Sequence, residues 1–305
     1  MKILITGCCG FIGSHLTNYL LESGFSVFGI DLRDDFRALG KCIEHKNFFF
    51  IKDDIVTTEK IIEVRPDIVI NLAAKVGVRD SLVNTQAYVK TNILGFENVM
   101  SQSRLSGVRL VIYASSSSVY GNCNQLPMSE NYPVSDVLSP YAFTKLENER
   151  WAKMSWDIFG QSSIGLRFFT VYGPNGRKDM MPYKLMKSLI DGTSINKFGS
   201  NTERDYTYIS DIVKGISKCI DLVNTPGYRV YNLGSNNPIS LEDFIIASQK
   251  VSKRKAIINQ LPYQTGDVDR TWADITKVKE ELGWSPEVDL ETGLRNLYLS
   301  MTSKS

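Results

Sequence analysis

Short runs of apolar and β-branched residues alternate with longer amphipathic stretches through the first half of this 305-residue chain. The short runs, interpreted as strands, are Lys2–Thr6, Ser26–Asp31, Phe48–Lys52, Ile68–Leu72, Arg109–Ser115 and Ser163–Arg167. The amphipathic stretches, interpreted as helices, are Phe11–Ser23, Thr57–Val64, Asn84–Ser106 and Tyr141–Phe159. Apolar continuity within the strands indicates burial on both faces. The alternation therefore predicts repeated βαβ units that build a doubly wound parallel sheet of the α/β class.

The pattern changes after Thr170, where loops that contain glycine and proline become frequent. Helices are predicted at Pro182–Asp191 and Leu241–Ser252, and one further strand at Val230–Leu233. This pattern predicts a smaller C-terminal α/β domain that binds the substrate. We expect residues 1–170, with about 205–235, to form the first domain, and residues 171–204 and 236–305 to form the second.

Composition excludes several classes of protein. Hydrophobic residues make up 43% of the chain and charged residues 22%, which is ordinary for a packed globular protein. The 35 basic and 33 acidic residues contain no basic block, so no nucleic-acid partner is expected. No apolar run approaches the roughly 20 residues of a membrane span. Five cysteines without a CxxC pair indicate free thiols in the cytoplasm, and only two histidines argue against a metal site.

A glycine-rich motif follows the first strand directly and opens the first helix. Glycine permits a tight turn and lets the backbone approach a pyrophosphate, which the N–H groups at the helix start attract. Asp31 ends the second strand, where a carboxylate accepts hydrogen bonds from both adenosine ribose hydroxyls and repels a 2′-phosphate. The pair of signals predicts a Rossmann-type fold that binds NAD. The motif residues expected to contact it are Gly7, Gly10, Phe11, Ile12 and Gly13.

Two further loops follow strands at the same edge of the predicted sheet. Asp54 and Ile55 follow the third strand, and residues 72–75 end or follow the fourth. Open α/β sheets bind ligands beyond the carboxyl ends of their strands, so these loops are also predicted to contact the cofactor. The residues of the second loop are Leu72, Ala73, Ala74 and Lys75.

A catalytic pair is predicted on the last helix of the first half. Tyr141 and Lys145 are separated by four residues, a spacing that puts both side chains on one helix face. Tyrosine ordinarily titrates near pH 10, and an adjacent ammonium together with a cationic nicotinamide ring favours its deprotonation. The run Ser115–Ser118 ends the fifth strand, and its hydroxyls are suited to bond a sugar hydroxyl as it becomes a carbonyl. These residues predict proton transfer coupled to hydride transfer.

Taken together, these motifs resemble the extended short-chain dehydrogenase/reductase family over essentially the whole chain. Within it, the likeness is greatest to UDP-glucuronate 4-epimerases. The segments that carry this likeness are Ala73–Arg79, Tyr113–Gly121, Leu166–Pro174, Gly176–Met180 and Arg204–Ile209. Asn175 and Lys178 depart from that subfamily, where tryptophan and proline are usual.

The resemblance implies a role for each matching residue. It places Ser116 and Tyr141 at the sugar C4 hydroxyl and Lys145 on the nicotinamide ribose. It implies that Ser117, Ser118 and Thr170 surround a C6 carboxylate. The remaining substrate-binding residues that it implies are Arg177 at the uracil, Arg204 at the diphosphate, Asp267 with its neighbour Gln264 at the uridine ribose, and Arg79.

The expected activity is NAD-dependent inversion of C4 in a UDP-sugar through a 4-keto intermediate, with UDP-glucuronate as substrate and UDP-galacturonate as product. Epimerisation of UDP-glucose or UDP-N-acetylglucosamine remains the alternative. Dehydratases and decarboxylases of the family carry acidic residues where Ser117 and Ser118 stand, which ranks them below epimerisation. The remaining alternative is a protein that binds NAD as a sensor and has no catalytic activity. The resemblance also implies a homodimer paired through the helices that begin at Asn84 and Tyr141.

Overall fold

The structure is a computed structural model that describes residues 1–199, 202–262 and 268–303. The chain divides into two compact units, each assembled from three separate segments. The first unit comprises Met1–Gly121, Glu130–Phe168 and Val213–Tyr231, and the second comprises Asn122–Ser129, Phe169–Ile212 and Asn232–Ser305. No helix among the described residues combines the length and apolarity that crossing a membrane requires.

A seven-stranded, mostly parallel sheet forms the centre of the first unit, in the order β10-β6-β5-β4-β1-β2-β3. Its strands are β1 (Lys2–Thr6), β2 (Ser26–Asp31), β3 (Phe48–Lys52), β4 (Ile68–Asn71), β5 (Leu110–Ser116), β6 (Ser163–Phe168) and β10 (Tyr228–Leu233). The order reverses between β1 and β4, which is the switch point where doubly wound sheets bind ligands. The predicted α/β class and strand positions are confirmed.

Helices accompany this sheet. They are α1 (Phe11–Glu22), α2 (Lys60–Val64), α3 (Val78–Val83), α4 (Thr85–Tyr88), α5 (Gly95–Leu105), α6 (Pro140–Phe159) and α8 (Ile209–Ile220), the last of which includes residues of both units. Part of the core lies where α5 meets the sheet, through Phe96, Val99, Val69 and Val111, which are at most 3% exposed. Burial of these apolar side chains holds the sheet and its carboxyl edge in place.

The helix predicted at Asn84–Ser106 is confirmed as a continuous helical stretch over residues 85–105, but a π turn at Val89–Leu94 widens it between α4 and α5. Asn92 lies in this turn and bonds outside the helix. Its side-chain amide exchanges two hydrogen bonds with the backbone of Lys75, at 2.8 and 2.9 Å, and its carbonyl accepts the Asn148 amide at 2.7 Å. These bonds attach the widened turn to the segment after β4 and to α6.

The second unit contains two small sheets, β11-β9-β7 and β12-β8. The strands are β7 (Thr170–Tyr172), β8 (Ser194–Phe198), β9 (Glu203–Tyr208), β11 (Pro238–Ser240) and β12 (Ile257–Leu261). The helices are α7 (Met181–Asp191), α9 (Leu241–Ser252), α10 (Thr276–Leu282) and α11 (Leu290–Thr302). Residues 205–212, expected in the first domain, lie in the second unit because β9 pairs with β7 and β11.

Candidate active site

The glycine-rich turn between β1 and α1 is closely packed. Gly7 has a φ of +74°, and the Gly10 N–H donates to the Gly7 carbonyl at 3.0 Å. A Cβ placed on Gly13 would lie 2.1 Å from that carbonyl oxygen, so only glycine fits there. The turn therefore brings bare backbone to the start of α1, where unpaired N–H groups favour a pyrophosphate.

Asp31 is buried at the end of β2 and is held by backbone donors. Its Oδ2 accepts the Cys9 N–H at 3.0 Å, and its Oδ1 accepts the Arg33 N–H at 3.0 Å. The Arg33 Nε lies 3.8 Å from the same Oδ1. The carboxylate is thus fixed beside the glycine turn, where it can accept from a ribose and disfavours an added phosphate.

The predicted contacts after β3 have structural roles in the first unit. The Ile55 side chain is buried in the apolar core, and its carbonyl accepts the Asn98 amide at 2.9 Å. The Asp54 Oδ1 accepts the Val56 N–H at 3.0 Å and closes the turn that precedes α2. These bonds fix the loop at the carboxyl edge of the sheet.

The predicted contacts after β4 lie in a fixed segment at the switch point. The first two residues of Leu72–Lys75 donate their N–H groups to Thr6, at 3.1 and 3.2 Å. Lys75 is exposed, and its backbone is the one bonded by Asn92. Sequence reasoning missed Asn92, whose role depends on a contact across 17 residues of chain.

The serine run divides between the two faces of β5. Ser116 is almost buried, and its Oγ accepts both the N–H and the hydroxyl of Ser118, at 3.1 and 2.9 Å. Ser117 and Ser118 are partly exposed in the short helical turn that follows. Ser115 points the other way and donates to Glu149, because successive strand residues face opposite sides. Ser116–Ser118 therefore remain candidate site residues at the end of the strand, whereas Ser115 faces the other side of the sheet.

Tyr141 and Lys145 lie in the first turns of α6, which begins at Pro140 after the Ser139 side chain caps it. Lys145 is 4% exposed, and its Nζ donates to the Ala114 carbonyl of β5 at 2.7 Å. Burial lowers the pKa of Lys145 from 10.5 to about 8. Tyr141 is partly buried, with its ring edge-on to Tyr88. A tyrosine hydroxyl and a buried amine thus share one helix face beside the serine-bearing strand end.

Three of the predicted substrate residues lie in the second unit. Thr170 begins β7 and is partly buried. The Arg177 guanidinium makes two bonds to the Asp179 carboxylate, at 3.1 and 2.5 Å. Arg204 lies on β9 and donates to two backbone carbonyls, at 2.9 and 3.2 Å. Hydrogen bonds within the second unit therefore orient the side chains of both arginines.

The other predicted substrate residues are placed less directly. Arg79 is exposed on α3 of the first unit. Gln264 and Asp267 lie outside the described residues, so their assignment stays a prediction from sequence.

Asp205, which sequence reasoning missed, organises the second unit around β9. Its fully buried carboxylate accepts backbone N–H groups of Ser235, Asn236 and Ala273, at 2.5, 3.0 and 3.1 Å. Burial raises the pKa of Asp205, while these donors oppose the rise. The sequence signal that could have identified Asp205 is an acidic residue within the aromatic run of β9. These bonds attach two loops that are distant in sequence to β9.

Comparison with known proteins agrees with this geometry. The chain matches the family model described as GDP-mannose 4,6 dehydratase over residues 4–297. A UDP-glucuronate 4-epimerase from Thermodesulfobacterium geofontis is 36% identical over 305 aligned residues, which cover 96% of this chain and 93% of the relative.

Two solved structures share the fold over the full chain. The UDP-glucuronic acid 4-epimerase from Bacillus cereus, in complex with UDP-glucuronic acid and NAD, has a TM-score of 0.94 and 34% identity, with 100% of both chains covered. The UDP-glucose 4-epimerase from Thermotoga maritima, with UDP-glucose, has a TM-score of 0.91 and 27% identity over 100% of this chain and 99% of that one. The predicted Rossmann-type fold and family resemblance are confirmed.

Proposed function

The chain belongs to the GDP-mannose 4,6 dehydratase family of extended short-chain dehydrogenases/reductases, and on that basis we propose that it is an NAD-dependent UDP-sugar 4-epimerase. The observation that carries the proposal is the buried Lys145, bonded to the end of β5 one helical turn after Tyr141. We propose UDP-glucuronate as the substrate and UDP-galacturonate as the product.

The residues of the first unit fit a dinucleotide. Gly7 and Gly13 let the turn pack closely, because a Cβ on either would meet backbone atoms of the turn or of the segment after β4, and Asp31 supplies a fixed acceptor for the adenosine ribose. Lys145 supplies an ammonium for the nicotinamide ribose. When bound, NAD would supply the hydride acceptor and donor for the sugar C4.

Tyr141 is proposed to remove the C4 hydroxyl proton and to return it when the 4-keto sugar is reduced. Ser116 stabilises the oxygen through a hydrogen bond, since its Oγ already accepts two bonds from Ser118 and keeps its own proton to donate. Lys145 favours the phenolate of Tyr141 by its charge. The sugar turns over between the two half-reactions, so the stereocentre inverts without net oxidation.

A carboxylate at C6 fits the hydroxyl-rich strand end. We propose that Ser117 donates to it, that the Ser118 hydroxyl turns from Ser116 to the carboxylate when the sugar binds, and that Thr170 adds a third hydroxyl. These donors would hold the carboxylate ionised in the β-keto acid intermediate and so oppose loss of carbon dioxide. The serines also argue against dehydration, because neither position offers the acid that eliminates water across C5 and C6.

The nucleotide part is proposed to bind through basic residues. Arg204 suits the diphosphate, because a planar guanidinium donates two bonds at once. Arg177 is proposed at the uracil, with Gln264 and Asp267 at the uridine ribose and Arg79 near the sugar. We also propose that the protein works in the cytoplasm, since all five cysteines are free thiols.

A homodimer is proposed through α5 and α6. An open groove on this face is lined by partly exposed apolar side chains, among them Phe143, Trp151 and Met154, which are 45%, 37% and 36% exposed. Ile158, 63% exposed, extends the same face of α6. Burying it against a second copy removes apolar area from water.

The test is to incubate purified protein, without added cofactor, with UDP-glucuronate, UDP-glucose or UDP-N-acetylglucosamine and to identify the products by NMR. Formation of UDP-galacturonate without carbon dioxide supports the proposal. Inversion of a neutral sugar alone contradicts the carboxylate assignment. No conversion, even with added NAD, contradicts the epimerase.

The sensor alternative is tested by Tyr141→Phe. An epimerase loses turnover in this variant and keeps its bound NAD, because only the hydroxyl is removed. A sensor has no turnover to lose.

A further inference from the structure

A buried polar cluster lies behind the serine run, on the face of β5 away from Ser116. Its members are Ser115, Glu149 and Arg167, which are 2%, 4% and 4% exposed. The Ser115 hydroxyl donates to Glu149 Oε1 at 2.5 Å. The Arg167 Nε donates to the same oxygen at 2.9 Å, and its Nη2 donates to Oε2 at 2.7 Å. Both carboxylate oxygens are therefore bonded inside the protein.

The cluster connects three elements of the first unit. Ser115 and Arg167 are directly paired across β5 and β6, and Glu149 reaches both from α6. The Tyr120 ring, from the turn after β5, lies 4.7 Å from the Arg167 guanidinium carbon. The Glu149 carboxylate thus joins the helix to two strands, and the Arg167 guanidinium extends the cluster to the turn that carries Ser117 and Ser118.

The same helix face carries the catalytic pair. Glu149 follows Lys145 by four residues and Tyr141 by eight, so the three side chains form one row. Lys145 bonds Ala114, and Glu149 bonds the next residue, Ser115. Two successive turns of α6 are therefore attached to two successive residues of β5, which fixes both the rotation and the axial position of the helix.

We propose that Ser115, Glu149 and Arg167 are positioning residues for the epimerase reaction, an inference that rests on the proposed function. Their attachment of α6 to β5 sets the separation between the Tyr141 and Ser116 hydroxyls, which must meet one sugar oxygen. Misplacement of a reacting group by about 1 Å can reduce a rate about 100-fold.

Stability alone is a poor reason for such a cluster. A buried ion pair loses its hydration on folding, and well-packed apolar residues of similar volume often stabilise a protein as much or more. The ion pair instead adds a defined bidentate geometry, because a guanidinium and a carboxylate form two parallel hydrogen bonds.

Ser115→Ala tests the inference with little disturbance, because it removes one donor and leaves the Glu149–Arg167 pair intact. The expected result is a fall in kcat of about 10- to 100-fold, with KM for the UDP-sugar and bound NAD unchanged. Ser115→Thr, which keeps the hydroxyl, should recover most of the rate. The matched control is Thr292→Ala, which removes a hydroxyl donor to the Asp289 carboxylate at 2.7 Å on α11 and should leave kcat unchanged.

Amide hydrogen exchange at the start of α6, residues 139–146, gives a second readout that needs no turnover. Exchange should quicken there in Ser115→Ala and not in Thr292→Ala. The inference is overturned if Ser115→Ala keeps either the wild-type kcat or the wild-type exchange, or if its loss of kcat only follows a loss of bound NAD or a lower Tm. A wild-type protein that converts no UDP-sugar contradicts the proposed function instead, and the exchange result then decides only whether the cluster holds the start of α6 in place.

Discussion

Replacing Lys145 by methionine is expected to stabilise the cofactor-free protein while it abolishes turnover. Burial lowers the pKa of Lys145 from 10.5 to about 8, so holding its ammonium in the folded state costs about 3 kcal/mol near neutral pH. Methionine has a similar length and no charge to bury. It forfeits the bond to the Ala114 carbonyl, worth about 1 kcal/mol. The free energy of unfolding should therefore rise by about 2 kcal/mol.

The pH dependence gives this prediction a definite sign. Below about pH 8, Lys145 is protonated in both folded and unfolded chains, and the full burial cost applies. Between that value and 10.5, the folded chain loses the proton while the unfolded chain keeps it. The unfolded state then binds more protons, so wild-type stability gains from this group as pH rises. The advantage of Lys145→Met should shrink across that window.

Urea unfolding of both cofactor-free proteins, near neutral pH and near about pH 10, measures the difference. Lys153→Met on the same helix is the control, since its exposed ion pair with Asp157 should matter little at either pH. A Lys145→Met protein that is less stable than wild type at neutral pH would refute the reasoning. So would a difference that does not change with pH.

Three other variants test separate parts of the proposal. Asp31→Asn should weaken NAD binding about 10- to 100-fold in calorimetry, because a charged acceptor is lost. The preference for NAD over NADP should also become smaller. Unchanged affinity for NAD would contradict the assignment of Asp31 to the adenosine ribose. Trp151→Glu should give a monomer in sedimentation, since it places a charge in the apolar groove, whereas an unchanged dimer would exclude this face. Asp205→Asn should lower the free energy of unfolding by about 3 kcal/mol, because an amide offers one acceptor oxygen to three N–H donors; a Tm equal to wild type would show that these bonds are dispensable.

The first unit was largely predictable from sequence. The bounds of β1, β2 and β3 match the predicted runs, since continuous apolar segments bounded by turns leave little choice of position. The π turn at Val89–Leu94, inside the predicted helix, was not predictable, because Asn92 in this turn bonds residues remote in sequence. Tertiary contacts override local propensity there.

The second unit was predicted less completely, and β7, β8, β9, β11 and β12 were all missed. The sequence of β12, IINQL, shows no alternation of apolar and polar residues, and four of its five residues are exposed. Its strand character comes from pairing with β8, about 60 residues earlier in the chain. Propensity within a short window carries no information about such a partner.

The candidate site, like the fold, was predictable from sequence only in part. The shared face of Tyr141 and Lys145 follows from helical spacing alone, and Glu149 continues that spacing by one more turn. The inward direction of Ser115 and its link to Arg167 require the register of β5 against β6. That register is set by packing, which no local motif in the serine run encodes.

The place of β10 in the sheet has a consequence for biosynthesis. It covers the edge of β6, yet Gly227, just before it, lies 65 residues beyond Ser162. During translation, β6 therefore leaves the ribosome with its outer N–H and C=O groups unpaired until the later strand emerges. An exposed strand edge invites pairing with other chains. Nascent or truncated products that stop before residue 228 should accordingly depend on chaperones, and full-length translation should relieve that dependence.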